Sequence, residues 1–169
     1  MEDLDVKTNQ ELITEFLEQK TIVVAGISKS NKPGNAIYKK FRSAGYHVVG
    51  VHPIMTEFEG DVCYKSVLDI PFVPDGVFMV TSPEVSHKIT QDCIKHGVKR
   101  IWMHNMTGVD PQWGKVFAEK NGSVEHDAVE MAKNAGITVI AGSCPMHYLP
   151  PVDLFHKCIH WMNVRTNSL

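Results

Sequence analysis

Short β-rich runs alternate with helix-like stretches along this chain, and that alternation restricts its fold more than any other feature. The runs are residues 21–25, 46–51, 76–80, 99–104 and 137–141. They are compact apolar segments without period-two alternation, which is the pattern of parallel strands buried on both faces. Between them lie stretches with helical signals. Thr8 to Glu11 has capping-box spacing, and Leu12, Ile13, Phe16 and Leu17 then share one face of a predicted helix over residues 9–18. Ile37, Phe41 and Ala44 point inward from a second, closed by Gly45. Ser82-Pro83-Glu84 supplies an N-cap, a first-turn proline and an early acid for a third, which stops at Gly97. A fourth is expected over residues 123–135 and a last amphipathic one over residues 153–162, with only a turn and a short extended piece at residues 60–64.

Strand–helix alternation of this kind predicts a single α/β domain: a Rossmann-like, doubly wound, mostly parallel sheet with helices on both faces. Ligands of such sheets sit beyond the carboxyl ends of the strands. Those ends are Gly26-Ile27-Ser28, Val51-His52-Pro53, Thr81-Ser82-Pro83, His104-Asn105 and Gly142-Ser143-Cys144-Pro145. The first is the most telling. A buried strand, a small-residue turn and then Gly34-Asn35 at a helix start make an anion site, because unpaired N–H groups and the helix dipole favour negative charge. Ser28, Lys29, Ser30, Asn31, Lys32 and Asn35 add hydroxyls, amides and two lysines suited to phosphate.

The loop also narrows the ligand. A nicotinamide dinucleotide site needs G-x-G-x-x-G after the first strand and an acid at the end of the second. Here Ser28 replaces the second glycine and His52-Pro53 ends the second strand, so NAD is disfavoured. No G-x-x-x-x-G-K-[ST] occurs, which excludes a P-loop. An NAD(P)-dependent or other nucleotide-binding oxidoreductase with a degenerate glycine loop stays open, because a serine and two lysines suit the 2′-phosphate of NADP. So does a thiol-redox protein using Cys144.

Composition excludes other classes. At 169 residues, 43% hydrophobic and a net charge of −2, the chain has the core of one globular domain and lacks the basic face of a nucleic-acid binder. No apolar run is long enough to span a membrane. The acidic start has no signal-peptide character, and four scattered cysteines read as free thiols, so a cytoplasmic location is expected. His156 and His160 are four apart, but no third ligand adjoins them in sequence and no metal is expected. Cys144 reads as a buried, inert thiol, Trp102 and Trp161 as core or partner contacts, and residues 105–122 as a lid or a surface excursion.

Taken in order, Val24-Ala25-Gly26-Ile27-Ser28, Lys32-Pro33-Gly34-Asn35 with Tyr38, and residues 45–53 resemble a known family. So do residues 60–67, Asp69-Ile70-Pro71, Thr81-Ser82-Pro83-Glu84, residues 97–102 and Cys144-Pro145. They resemble the small, stand-alone CoA-binding proteins, whose domain is related to the CoA-binding part of the succinyl-CoA synthetase α-subunit. The resemblance implies coenzyme A or an acyl-CoA as ligand, with its pyrophosphate over Gly26, Ile27 and Ser28. Lys32 and Asn35 would assist beside Gly34, and Val51, His52, Pro53, Thr81, Ser82 and Pro83 would border the nucleotide. After Trp102 the family usually shows glutamine and glycine, where this chain reads Met103-His104-Asn105. The expected role is a non-enzymatic sensor or regulator, with a homo-oligomer possible. Gly26→Val is expected to block the ligand and leave the chain folded.

Overall fold

The computed structural model describes residues 7–30, 32–108 and 122–166. Asn31 and most of the 105–122 connection, with Asp110, Trp113 and Phe117, therefore lie outside the described residues. Seven strands form one sheet: β1 (Thr21–Ala25), β2 (His47–Val51), β3 (Glu57–Phe58), β4 (Asp61–Tyr64), β5 (Gly76–Met79), β6 (Arg100–Met103) and β7 (Thr138–Ala141). Their order is β3-β4-β2-β1-β5-β6-β7. Every pairing is parallel except the β3–β4 hairpin, in which Glu57 faces Val62. That hairpin is richer than the turn and short piece expected, and β4 adds it to the sheet by pairing with β2.

Burial explains the lack of alternation in the strands. In β1, Val23 and Ala25 enter one core with Met79, Ile101 and Val139, while Ile22 and Val24 enter the other with Phe78, Trp102 and Ile140. The first core is closed by α3 (Pro83–His96) and α4 (His126–Asn134) through Cys93, Ala128 and Ala132. The second is closed by α1 (Asn9–Leu17) and α2 (Pro33–Ser43) through Ile13, Phe16, Ile37, Tyr38 and Phe41. Trp102 is its hub: its ring meets Phe16 and Phe78 edge-on at 5.3 and 5.4 Å, and its Nε1 donates to the Gly142 carbonyl at 2.7 Å. The last helix, α5 (Leu154–Arg165), packs on the 3₁₀ turn Pro145–His147. Trp161 on α5 is mostly exposed beneath the guanidinium of Arg165.

The chain leaves β1 towards β2 on one side, while β5 pairs on the other side of β1. The connections diverge there, and a crevice opens beyond the strand ends. Among the described residues no helix is long and apolar enough to cross a membrane.

Candidate functional site

Two glycines set the geometry of the crevice. Gly26 ends β1 with φ +109°, and a Cβ there would lie 2.1 Å from the Val80 carbonyl oxygen. A Cβ on Gly34 would lie 2.3 Å from the Gly26 carbonyl oxygen. Only hydrogen at both positions lets the first turn of α2 press onto the β1 loop and the loop onto the end of β5. This corrects the expectation for Gly26→Val, which would strain the fold itself before it met any ligand.

The loop is braced from within. The Asn35 side chain accepts the Ser28 N–H at 2.8 Å and donates to the carbonyls of Ser28 and Ser30 at 2.8 and 3.0 Å. These bonds commit both ends of its amide, so the Asn35 side chain braces the loop. The Ser28 hydroxyl bonds that of Ser30 at 2.9 Å and accepts the Ser30 N–H. Ile27 is buried against Gly50, leaving only its backbone to face a ligand.

Helix α2 starts at Pro33, with Lys32 as N-cap residue, and α3 starts at Pro83, with Ser82 as N-cap residue. Neither cap side chain accepts a hydrogen bond from its helix. Ser82 thus holds the position expected of it without making the bond. Both starts open onto one cleft of about 400 Å³, lined by Lys32 and Pro33, by residues 80–83, by His104, Asn105 and Met106, and by Gly122 and Ser123. The positive dipole ends of two helices therefore converge there beside an exposed lysine.

Of the residues singled out in the sequence, Lys32, Thr81, Ser82 and Pro83 line this cleft, while Gly26, Ile27, Ser28, Gly34 and Asn35 build the loop behind it. Val51, His52 and Pro53 lie at the end of β2, outside the lining. Val51 is buried in the core, and the His52 Nδ1 accepts the N–H groups of Ile54 and Met55 at 3.1 and 3.0 Å, tying its own turn.

Ser123 and His104 line the cleft without having been assigned to the site from the sequence. Ser123, expected in the fourth helix, stays outside it: its hydroxyl accepts the Thr81 N–H at 3.0 Å and its own N–H donates to the His104 carbonyl. That helix begins instead at His126, capped by Glu125. His104 was visible as a strand end but carried no motif. It is 5% exposed, lies edge-on to Phe78, and has an Nδ1 without a hydrogen-bond partner. Burial, reinforced by His156, pushes its pKa down to about 4 and leaves it neutral at pH 7.

Tertiary packing also gathers histidines that sequence spacing kept apart. His147 sits 5.5 and 5.9 Å, centroid to centroid, from His156 and His160. Its ring nitrogens and the His160 Nδ1 are buried without partners, and burial with the neighbouring imidazoles pushes its pKa down to about 3. Among the described residues no group of three or more His, Cys, Asp or Glu is arranged to hold a metal ion. Cys144 is buried and its thiol is pushed up to about 12 by burial, so it stays protonated and unreactive at neutral pH.

A doubly wound, mostly parallel sheet with a cleft beside two helix starts at its switch point defines the class, a Rossmann-like fold. Residues 20–150 match the CoA binding domain family, and the chain belongs to it. It is 30% identical over 126 residues to an ADP-forming acetate–CoA ligase of Methanocaldococcus jannaschii, a match covering 74% of this chain and 17% of the ligase. An ADP-forming acetate–CoA ligase I of Archaeoglobus fulgidus is 28% identical over 126 residues, covering 74% and 18%. The chain thus spans under a fifth of these relatives. A hypothetical protein from Pyrococcus horikoshii shares the fold end to end, with a TM-score of 0.67 at 24% identity over 97% of this chain and 95% of that one. The dinucleotide-forming acetyl-coenzyme A synthetase 1 of Ca. Korarchaeum cryptofilum, without ligand, matches with a TM-score of 0.56 and 27% identity over 71% of this chain and 25% of that one. None of these comparisons supports a nicotinamide-dependent oxidoreductase.

Proposed function

We propose that this protein binds coenzyme A or an acyl-CoA as a non-enzymatic module that senses or delivers the ligand. The observation carrying the proposal is the convergence of the two α2 and α3 starts, without side-chain caps, on one cleft in a member of the CoA binding domain family. The ligand's phosphates would lie against these N-termini and Lys32, over the backbone of Gly26, Ile27 and Ser28. Its uncharged arm would run past Val80 and Thr81 towards β6.

The ligase reaction is not carried over with the ligand. The matched segment is 17% of the ligase, and among the described residues the cleft lining contains no carboxylate and no thiol. Its hydroxyls at Thr81 and Ser123 are engaged with Ser86 and the Thr81 N–H, and burial pushes the His104 pKa down to about 4. Sensing or delivery fits such a lining.

Calorimetry and thermal unfolding with CoA, acetyl-CoA, NADP and ATP test the reading. A ligand bound only by the native state adds about 2.7 kcal/mol of stability at a hundredfold excess over Kd. CoA and acetyl-CoA are expected to raise the unfolding midpoint where NADP and ATP do not. Preference for NADP, or no response to CoA, overturns the proposal.

A further inference from the structure

Helix α5 turns the usual amphipathic arrangement inside out. Its buried residues are Ile159 and Asn163, and it packs inward on the turn Pro145–His147 through His156 and His160. Its bulky apolar side chains face water instead: Leu154 is 76% exposed, Phe155 60%, Trp161 57% and Met162 37%. Of the eleven large hydrophobic side chains exposed among the described residues, five lie on this one helix. On a helix, Leu154, Cys158, Trp161 and Arg165 form one row, and Phe155 and Met162 lie beside it. The outcome is an outward apolar stripe with an exposed thiol at its centre and a guanidinium at one end.

We propose that this stripe is the interface of a homodimer, in which α5 packs antiparallel against α5 of a second copy about a two-fold axis near Cys158. The pattern is self-complementary about that point. Leu154 and Met162 are each four residues from Cys158, and Phe155 and Trp161 are each three. A two-fold axis there sets leucine of one copy against methionine of the other, and phenylalanine against tryptophan. Antiparallel pairing also opposes the helix dipoles and brings the Arg165 end of one copy to the Asp153 end of the other. Parallel pairing would set Arg165 against Arg165. The four apolar side chains leave on the order of 500 Å² in water, so two copies withdraw on the order of 1,000 Å², the lower limit for a specific interface. That size suits a reversible dimer rather than a permanent one. No residue of the stripe lines the cleft, so the inference stands apart from the CoA-binding reading.

Sedimentation equilibrium tests it, over protein concentrations from about 1 to about 500 µM. The wild type is expected to pass from monomer to dimer across that range. Trp161→Glu puts a charge into the stripe at an exposed position and should weaken association about tenfold or more. Leu154→Glu serves if that variant does not fold. A short bis-maleimide reports which face is used, since Cys158 is exposed and Cys63, Cys93 and Cys144 are buried. It is expected to link wild-type copies through Cys158 and to leave Cys158→Ser and Trp161→Glu unlinked. A wild type that stays monomeric throughout, a dimer that the reagent does not link, or one that survives both glutamate variants overturns the proposal. Monomers that instead sediment with phospholipid vesicles, and are released by Trp161→Glu, would give the stripe to a membrane surface and overturn it too.

Discussion

Helices α1, α4 and α5 begin differently from α2 and α3. Thr8, Glu125 and Asp153 each turn a side chain onto the first N–H groups of their helices, and Thr8 completes a reciprocal box with Glu11. At α2 and α3 the cap side chains do nothing of the kind, and both helices place proline in the first turn. The capped helices bond their first N–H groups to a side chain, whereas the two at the cleft have no side-chain cap. An uncapped helix start is a stability deficit that a bound anion would make good.

The largest effect should come from the packing that aims α2 at the cleft. Gly26→Ala places a Cβ 2.1 Å from the Val80 carbonyl, a backbone atom that cannot swing aside. We expect a loss of roughly 3 kcal/mol or more in urea unfolding. Gly97→Ala has a similar positive φ with open space around its Cβ, and should cost only about 1 kcal/mol. Equal costs at the two positions would break the argument that close approach, rather than φ alone, requires Gly26.

Acid should act next, and at the opposite end of the cleft. His104 and His147 are neutral in the fold, with pKa values pushed down to about 4 and about 3 from an ordinary 6.5. Between those values and 6.5 the unfolded chain binds more protons than the folded one, so stability falls as pH is lowered through that window and is full above it. The shift at His104 alone corresponds to about 3 kcal/mol. Urea midpoints measured from pH 7.5 to 4.5 should fall steadily below pH 6.5, and His104→Phe should flatten the slope. A flat wild-type profile would mean that the cluster is hydrated and not held neutral.

The smallest effect tests the helix contrast most directly. Lys32→Asp would supply the missing cap of α2, adding about 1 kcal/mol of stability while placing a negative charge at the anion end. CoA affinity should fall about tenfold or more by calorimetry. Asp153→Ala should do the reverse, costing about 1 kcal/mol with no change in CoA affinity. A Lys32→Asp variant that gains stability and keeps its affinity would place the phosphates elsewhere.

Much of this molecule could be read one residue run at a time. The sheet strands β1, β2, β5, β6 and β7, the Thr8 box, the Gly97 stop at φ +83° and the glycine turn after β1 are local features, and short-range sterics and hydrogen bonding write them into adjacent residues. The family likeness rests on the same local motifs kept in order. What spacing could not decide was which polar side chains serve the ligand and which serve the fold. Asn35 was expected to assist at the phosphates and its side chain bonds Ser28 and Ser30; Ser123 was expected to start a helix and reaches across to Thr81.

His104, His147, His156 and His160 carry no common motif, and they meet only because the end of β6, the turn after β7 and helix α5 fold onto the same side. Periodicity reports which face of an element is buried. The partner across that face belongs to residues tens of positions away, and only tertiary packing assigns it.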